Sequence, residues 1–248
     1  MPKFFVDKNN IHNDKIIISG ENAHHISRSL RMAVGEHIVV SDMEGYDYAC
    51  ILDSFTDTTV TAKITQKYIS SAEPEIHVHL YQALPKGDKL DLIIQKSVEC
   101  GVYDITPFES EHCVVKIKND AESKKSDRRN KISLEASKQC GRGIIPKVYP
   151  SISFKTMLEQ AAKSDAVLFC YEGEGTLPLA SALKKLRSER DINDISIIIG
   201  SEGGFSKNEV YEAEQNGFIK IGLGKRILRA ETAAIMSLSC LVYEFELS

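Results

Sequence analysis

The stretch Ile197-Ile198-Ile199-Gly200-Ser201-Glu202-Gly203-Gly204-Phe205-Ser206-Lys207-Asn208-Glu209 decides the fold. An apolar strand runs straight into a glycine-rich turn. Ser206 and Glu209 then have the spacing of a capping box, which opens a helix. Glycines at the carboxyl end of a strand let backbone N–H groups approach a ligand closely, and in open α/β sheets ligands bind there. A tight turn that needs positive φ would explain the same glycines without a ligand. Glu202 adds a carboxylate inside the loop.

Working outward, the same strand–loop–helix order recurs. Downstream come a strand at 218–222, a second glycine loop and a last helix at 231–246. Upstream, strands at 76–83, 104–108, 147–149 and 166–171 alternate with helices at 89–100, 124–139, 154–162 and 178–187. Such alternation predicts a mostly parallel sheet covered by helices, an α/β domain. Before Ser70-Ser71-Ala72-Glu73-Pro74 the pattern differs. Short alternating runs at 4–6, 15–18, 37–40, 48–52 and 58–64 read as strands of a small β-barrel, interrupted by one helix near 21–31. The expected domains are therefore 1–72 and 73–248.

The second loop is Ile221-Gly222-Leu223-Gly224-Lys225-Arg226-Ile227-Leu228-Arg229-Ala230-Glu231-Thr232-Ala233-Ala234. Gly222-x-Gly224 is too short for the dinucleotide fingerprint, and no P-loop pattern is present. What remains is a backbone-rich pocket near Arg226, Arg229 and Glu231. Two such loops after successive strands can line one site.

Of the 248 residues, 42% are hydrophobic and 27% charged, which excludes a disordered or fibrous chain. No run approaches the roughly 18 apolar residues of a membrane span, and the polar start Met1-Pro2-Lys3-Phe4-Phe5-Val6-Asp7-Lys8 is unlike a signal peptide. Six scattered cysteines form no C-x-x-C pair, so the expectation is a cytoplasmic protein with reduced thiols and no metal. His77 and His79 alternate with Val78 and Leu80 as one face of a strand would, which outweighs a metal site. The net charge of −4 hides an asymmetry: residues 116–147 hold ten Lys and Arg against four acids, leaving the remainder at −10. A local basic segment of this kind suits salt-sensitive nucleic-acid binding.

The paired loops, Ile199-Gly200-Ser201-Glu202-Gly203-Gly204-Phe205-Ser206 and Leu223-Gly224-Lys225-Arg226-Ile227-Leu228-Arg229-Ala230-Glu231-Thr232-Ala233, resemble those of the bacterial RsmE family, the 16S ribosomal RNA (uracil-N3)-methyltransferases. The similarity continues through His24-His25, Leu30-Arg31-Met32, Leu84-Pro85-Lys86-Gly87-Asp88-Lys89, Gln95-Lys96-Ser97-Val98-Glu99-Cys100-Gly101-Val102 and Glu135-Ala136-Ser137-Lys138-Gln139-Cys140-Gly141-Arg142. The resemblance implies a SPOUT-type α/β domain with a C-terminal deep trefoil knot over 73–248, preceded by a PUA-like RNA-binding barrel over 1–72. It also implies S-adenosylmethionine as methyl donor, a homodimer, and 16S rRNA in the 30S particle as substrate. The chain departs from the family's usual residues at Ser201 (proline), Ala230 (threonine), Cys140 (serine) and His112 (arginine). A histidine lacks the planar fork with which arginine grips a phosphate.

On this resemblance Tyr171, Glu172, Gly200, Ser201, Glu202, Gly203, Gly204, Gly222, Leu223, Gly224, Ile227, Leu228, Arg229, Thr232 and Ala233 are expected at the cofactor. Arg229 and Arg142 are candidates for stabilising negative charge on the uracil, with Glu202 or Glu231 accepting its proton or orienting an arginine. Arg28, Arg31, Lys86, Lys89 and Arg142 are candidate RNA contacts. Two other readings stay open on the residues: a SPOUT enzyme that methylates a ribose 2′-hydroxyl or another base, and a non-catalytic RNA-binding module.

Overall fold

The structure, a computed structural model, describes residues 1–117, 119–188 and 192–248, without the side chains of 119–121 and 123. Lys118 and the Asp120 side chain of the basic segment lie outside the described residues. The chain divides into two compact units, Met1–Glu73 with Ser137–Ile145, and Pro74–Ala136 with Pro146–Ser248.

The first unit contains β1 (Lys3–Phe5), β2 (Lys15–Ser19), α1 (Gly20–His24), β3 (His37–Ser41), β4 (Tyr46–Phe55) and β5 (Thr59–Ile69). They form a five-stranded sheet in the order β1-β3-β4-β5-β2. β1 runs parallel to β3, and the other pairs are antiparallel. Period-two alternation produces its core: Ile16 and Ile18 from β2, Ile38 and Val40 from β3, and Val60 and Ala62 from β5 all point into one cluster with Phe4, Ala23 and Ile26. After α1 the chain continues in a wider helical turn, His25–Ser29. Arg31, at φ 52°, takes the left-handed conformation that stops it.

Ser137–Ile145 returns to this unit and is held there by Glu73. One Glu73 carboxylate oxygen lies 2.7 Å from Arg142 Nη2, while the other accepts the Gly143 and Ile144 N–H groups at 2.7 and 3.0 Å. Lys3 Nζ donates to the Gly141 carbonyl at 2.7 Å. Gly143 is needed because a Cβ there would lie 2.3 Å from that of Ser70.

The second unit contains β6 (His77–Ala83), α2 (Lys89–Glu99), β7 (Asp104–Glu109), α3 (Asn119–Cys140) as far as Ala136, β8 (Lys147–Val148), β9 (Ile152–Ser153), α4 (Phe154–Ala161), β10 (Ala166–Cys170), β11 (Leu177–Pro178), α5 (Leu179–Ser188), β12 (Asp194–Ile199), α6 (Lys207–Gln215), β13 (Ile219–Gly222) and α7 (Ala230–Val242). The sheet order is β11-β13-β10-β12-β6-β7-β8, with β9 also on β7. Among the described residues all of its strand pairings are parallel. Parallel strands are covered on both faces, which is why Ile197, Ile198 and Ile199 are buried in succession. The expected alternation of strands and helices is present. The two-residue strands β9 and β11 are additions too short to leave a periodic signal.

At the other end of the sheet, His79 bridges the starts of β7 and β12: its Nδ1 lies 3.0 Å from Asp104 and its Nε2 3.0 Å from Asp194. Among the described residues no group of three or more His, Cys, Asp or Glu is placed to hold a metal ion. All six cysteines are free thiols. Among the described residues, no helix is long and apolar enough to cross a membrane.

Candidate active site

Because β13, β10 and β12 are neighbours and parallel, the turns after all three emerge at one end of the sheet. These turns wall one cleft, which encloses about 820 Å³ of empty space including its open mouth.

The first loop is fixed from below and closed on itself. Phe205 packs with its ring 4.3 Å from that of Phe169 and is stacked on Phe108 at 6.4 Å. The Gly204 N–H donates to the Ser201 carbonyl at 3.0 Å. Gly204 adopts φ +62°, and a Cβ there would stand 3.2 Å from Glu172 Oε1. Beyond the loop, Ser206 accepts the Glu209 N–H and the Glu209 carboxylate accepts the Ser206 N–H, completing the expected capping box. On the loop's outer side His112 Nδ1 lies 2.8 Å from the Gly203 carbonyl. That contact requires a proton on Nδ1, which donates to the carbonyl.

Of the residues expected at the cofactor, Tyr171, Glu172, Gly200, Ser201, Gly204, Gly222, Leu223, Gly224, Ile227, Leu228 and Ala233 line this cleft. Glu202, Gly203 and Arg229 belong to the same loops, and Thr232 to the first turn of α7, without lining it. Cys170, Thr176 and Phe205 line it without having been singled out. Thr176 had no signal in the sequence. It lies against Gly222, where a Cβ would come within 2.8 Å of its Oγ1. Burial pushes the Cys170 thiol up to about 12, against a weaker opposing contact from Ser237. Ile227 is 86% exposed at the rim, an unusual place for an isoleucine.

Beside the cleft the carboxylates share one cation. Lys89 Nζ donates to Glu202 Oε1 at 2.7 Å and lies 3.8 Å from Glu231 Oε2. The Lys86 N–H also donates to Glu202 Oε1, at 3.2 Å. Burial pushes the Glu202 carboxyl up, but the hydrogen bonds from Lys89, its own backbone and Lys86 outweigh it and hold the group below its ordinary value. Glu231 Oε2 is buried with no hydrogen-bond partner, so the 3.8 Å ion pair is its electrostatic compensation. Lys89, expected on RNA, thus serves these two carboxylates, while the Lys86 side chain is exposed. Arg229 is exposed at the N-cap of α7, where its carbonyl accepts the Ala233 N–H.

In the first unit, Arg28 and Arg31 are exposed. Arg142 is not: its side chain is 3% exposed and pairs with Glu73. A guanidinium engaged in this way organises the return segment, which departs from the RNA-facing and charge-stabilising roles expected of it. The basic segment is likewise partly used internally. Arg129 is buried against Glu122 and Ser151, and Arg128 pairs with Asp91.

A model of the RNA methyltransferase domain matches residues 72–242, and a model of the RNA methyltransferase PUA domain matches residues 18–65. The parallel α/β sheet, its glycine-loop cleft and the PUA-like N-terminal unit therefore define an RNA methyltransferase. The ribosomal RNA small subunit methyltransferase E of Bacillus subtilis is 34% identical over 231 residues, covering 93% of this chain and 90% of that protein. The chain belongs to the ribosomal RNA small subunit methyltransferase E family. The Neisseria gonorrhoeae ribosomal RNA small subunit methyltransferase E, solved bound to S-adenosyl methionine, aligns at TM-score 0.80 with 27% identity, over 98% of this chain and 97% of that one. A Legionella pneumophila methyltransferase, solved with the same cofactor, aligns at TM-score 0.80 with 29% identity, over 97% and 96%.

Proposed function

We propose that this chain transfers the methyl group of S-adenosylmethionine to N3 of one uridine of 16S ribosomal RNA within the 30S particle, in the cytoplasm and as a homodimer. The observation that carries the reading is the single cleft walled by both glycine loops, in a chain of this family. The cleft's residues fit the donor. Leu223 and Leu228 offer apolar area to an adenine face. Gly200, Gly204, Gly222 and Gly224 leave backbone groups open to its polar edge. When bound, the donor supplies an electrophilic methyl group on a sulfonium.

Uracil N3 carries a proton between two carbonyls and must lose it as the new bond forms. Arg229, exposed at the start of α7, stabilises the negative charge developing on a uracil carbonyl oxygen. Glu231, two residues on, is the better proton acceptor, because its Oε2 makes no hydrogen bond and only a 3.8 Å ion pair with Lys89. Glu202 already accepts from Lys89 and Lys86 and holds the loop in place. A paired uracil has N3 blocked, so the target is unpaired or flipped out. Arg28, Arg31 and Lys86, all exposed, supply phosphate contacts.

In this reading residues 1–72, completed by the returning Ser137–Ile145, form the RNA-binding PUA-like domain and the rest of 73–248 the methyltransferase domain, its C-terminal chain passing through a deep trefoil knot. Supporting the knot, β13 sits between β11 and β10 while the chain goes on to α7, packed on β12 and β6. Supporting the dimer, α7 is apolar beyond its buried side, with Ile235, Met236 and Cys240 only partly covered. Reduced thiols agree with a cytoplasmic site. The test is methylation of 30S particles and of naked 16S RNA with the product position mapped. One 3-methyluridine, formed in the particle, is expected. A ribose methyl, or no methyl in either substrate, overturns the reading.

A further inference from the structure

Six buried side-chain oxygens among the described residues have no hydrogen-bond partner, and three of them border the first glycine loop: Gln82 Oε1, Ser201 Oγ and Glu231 Oε2. Native proteins leave few such atoms, because an unpaired buried polar group loses its hydration without compensation. Two of the three are accounted for in part. Gln82 uses its amide nitrogen, which donates to the Ala83 carbonyl at 2.9 Å and to the Gly200 carbonyl at 3.3 Å. Glu231 has its ion pair with Lys89.

Ser201 has no such compensation. Its hydroxyl is the side chain's only polar atom, the residue is 9% exposed, and it lines the cleft. The backbone on either side is fixed, by Gln82 at Gly200 and by the Gly204 N–H bonded to the Ser201 carbonyl.

We infer that Ser201 Oγ hydrogen-bonds the nucleoside ligand held in this cleft and is a specificity-determining contact for it. The inference rests on the methyl-donor reading of the cleft and adds to it the atom that completes the loop's polar network. A hydroxyl both donates and accepts, so it suits either a ribose hydroxyl or the carboxylate of an amino-acid tail.

The test is calorimetric binding of S-adenosylhomocysteine and of 5′-methylthioadenosine, which lacks the tail, to the wild-type chain and to Ser201→Ala and Ser201→Cys, with melting of each protein without ligand. Ser201→Ala is expected to weaken S-adenosylhomocysteine by about 3- to 10-fold, the worth of one neutral hydrogen bond. Without ligand it is expected to melt at or above the wild-type temperature, since an unpaired hydroxyl has been removed. Ser201→Cys, with a weak donor in nearly the same volume, is expected to fall between. An equal loss with 5′-methylthioadenosine assigns the contact to the nucleoside half, and a loss confined to S-adenosylhomocysteine assigns it to the tail. Unchanged S-adenosylhomocysteine affinity in Ser201→Ala, or a lowered melting temperature without ligand, overturns the inference. Failure of the wild-type chain to bind either compound overturns the methyl-donor reading instead.

Discussion

Lys89 Nζ lies 2.7 Å from Glu202 Oε1, an ion pair that ties the start of α2 to the first glycine loop. Both side chains are partly exposed, so the pair itself is worth only about 0.5–1 kcal/mol of stability. Its larger effect is on loop position. Lys89→Met is expected to weaken S-adenosylhomocysteine several-fold in calorimetry while urea unfolding shifts little. The depressed Glu202 carboxyl contributes stability above its ordinary value of 4.5, lost as pH falls through its lower folded value. In Lys89→Met the folded value moves back toward 4.5, so that acid-side loss should shrink. An unchanged acid-side loss together with unchanged affinity would show the contact to be incidental.

Gly204 holds φ +62° with its Cβ position 3.2 Å from Glu172 Oε1. A β-branched side chain is strained in that conformation, and here it would also push Glu172, which lines the cleft. Gly204→Val is expected to abolish measurable S-adenosylhomocysteine binding in calorimetry, with the circular dichroism of the folded chain retained. Normal affinity would mean that this loop does not hold the cofactor.

Glu73 satisfies Arg142 and two backbone N–H groups at once. Removing one partner of a buried pair leaves the other charge uncompensated. Glu73→Ala should cost about 3 kcal/mol or more in chemical denaturation. A loss below about 1 kcal/mol, the size of an exposed pair, would mean that solvent reaches Arg142 easily.

His79 sits between two carboxylates. Burial lowers its pKa, but the hydrogen bonds and charges of Asp104 and Asp194 outweigh this and raise it above 6.5. A raised imidazole contributes stability fully present below pH 6.5 and lost as pH climbs through the folded value. Beyond the two aspartates, the ring is faced by Tyr103, edge-on at 5.4 Å, whose ring also lies against His77. His79→Gln should flatten the fall in stability above pH 6.5, measured as urea midpoints across that range. An equally steep fall in the variant would assign the titration to another group.

The parts legible in the sequence are those that depend on neighbours along the chain. The run Ile197-Ile198-Ile199 announced an apolar strand, and Ser206 with Glu209 announced the helix cap. The two glycine loops declared themselves by composition, and the sheet brings both to one cleft. What stayed hidden depends on partners far away in sequence. Nothing near Lys89 says that it will meet Glu202 and Glu231 rather than a phosphate. Nothing near Arg142 announces Glu73, and the stretch around it shows no shift in composition. Depth is equally hidden in the basic segment. A count of charges carries no depth, and Arg129 proves to be buried against Glu122.

The return of Ser137–Ile145 to the first unit separates the order of synthesis from the order of completion. A ribosome releases Met1–Glu73 first, yet the Glu73 carboxylate has no Arg142, Gly143 or Ile144 to bind until all of the chain up to Ile145 has left the exit tunnel. The N-terminal unit, although made first, is thus finished only after β6, α2 and β7 have been translated. A nascent chain arrested before Arg142 carries an unfinished unit, and one released after Ile145 carries a whole one.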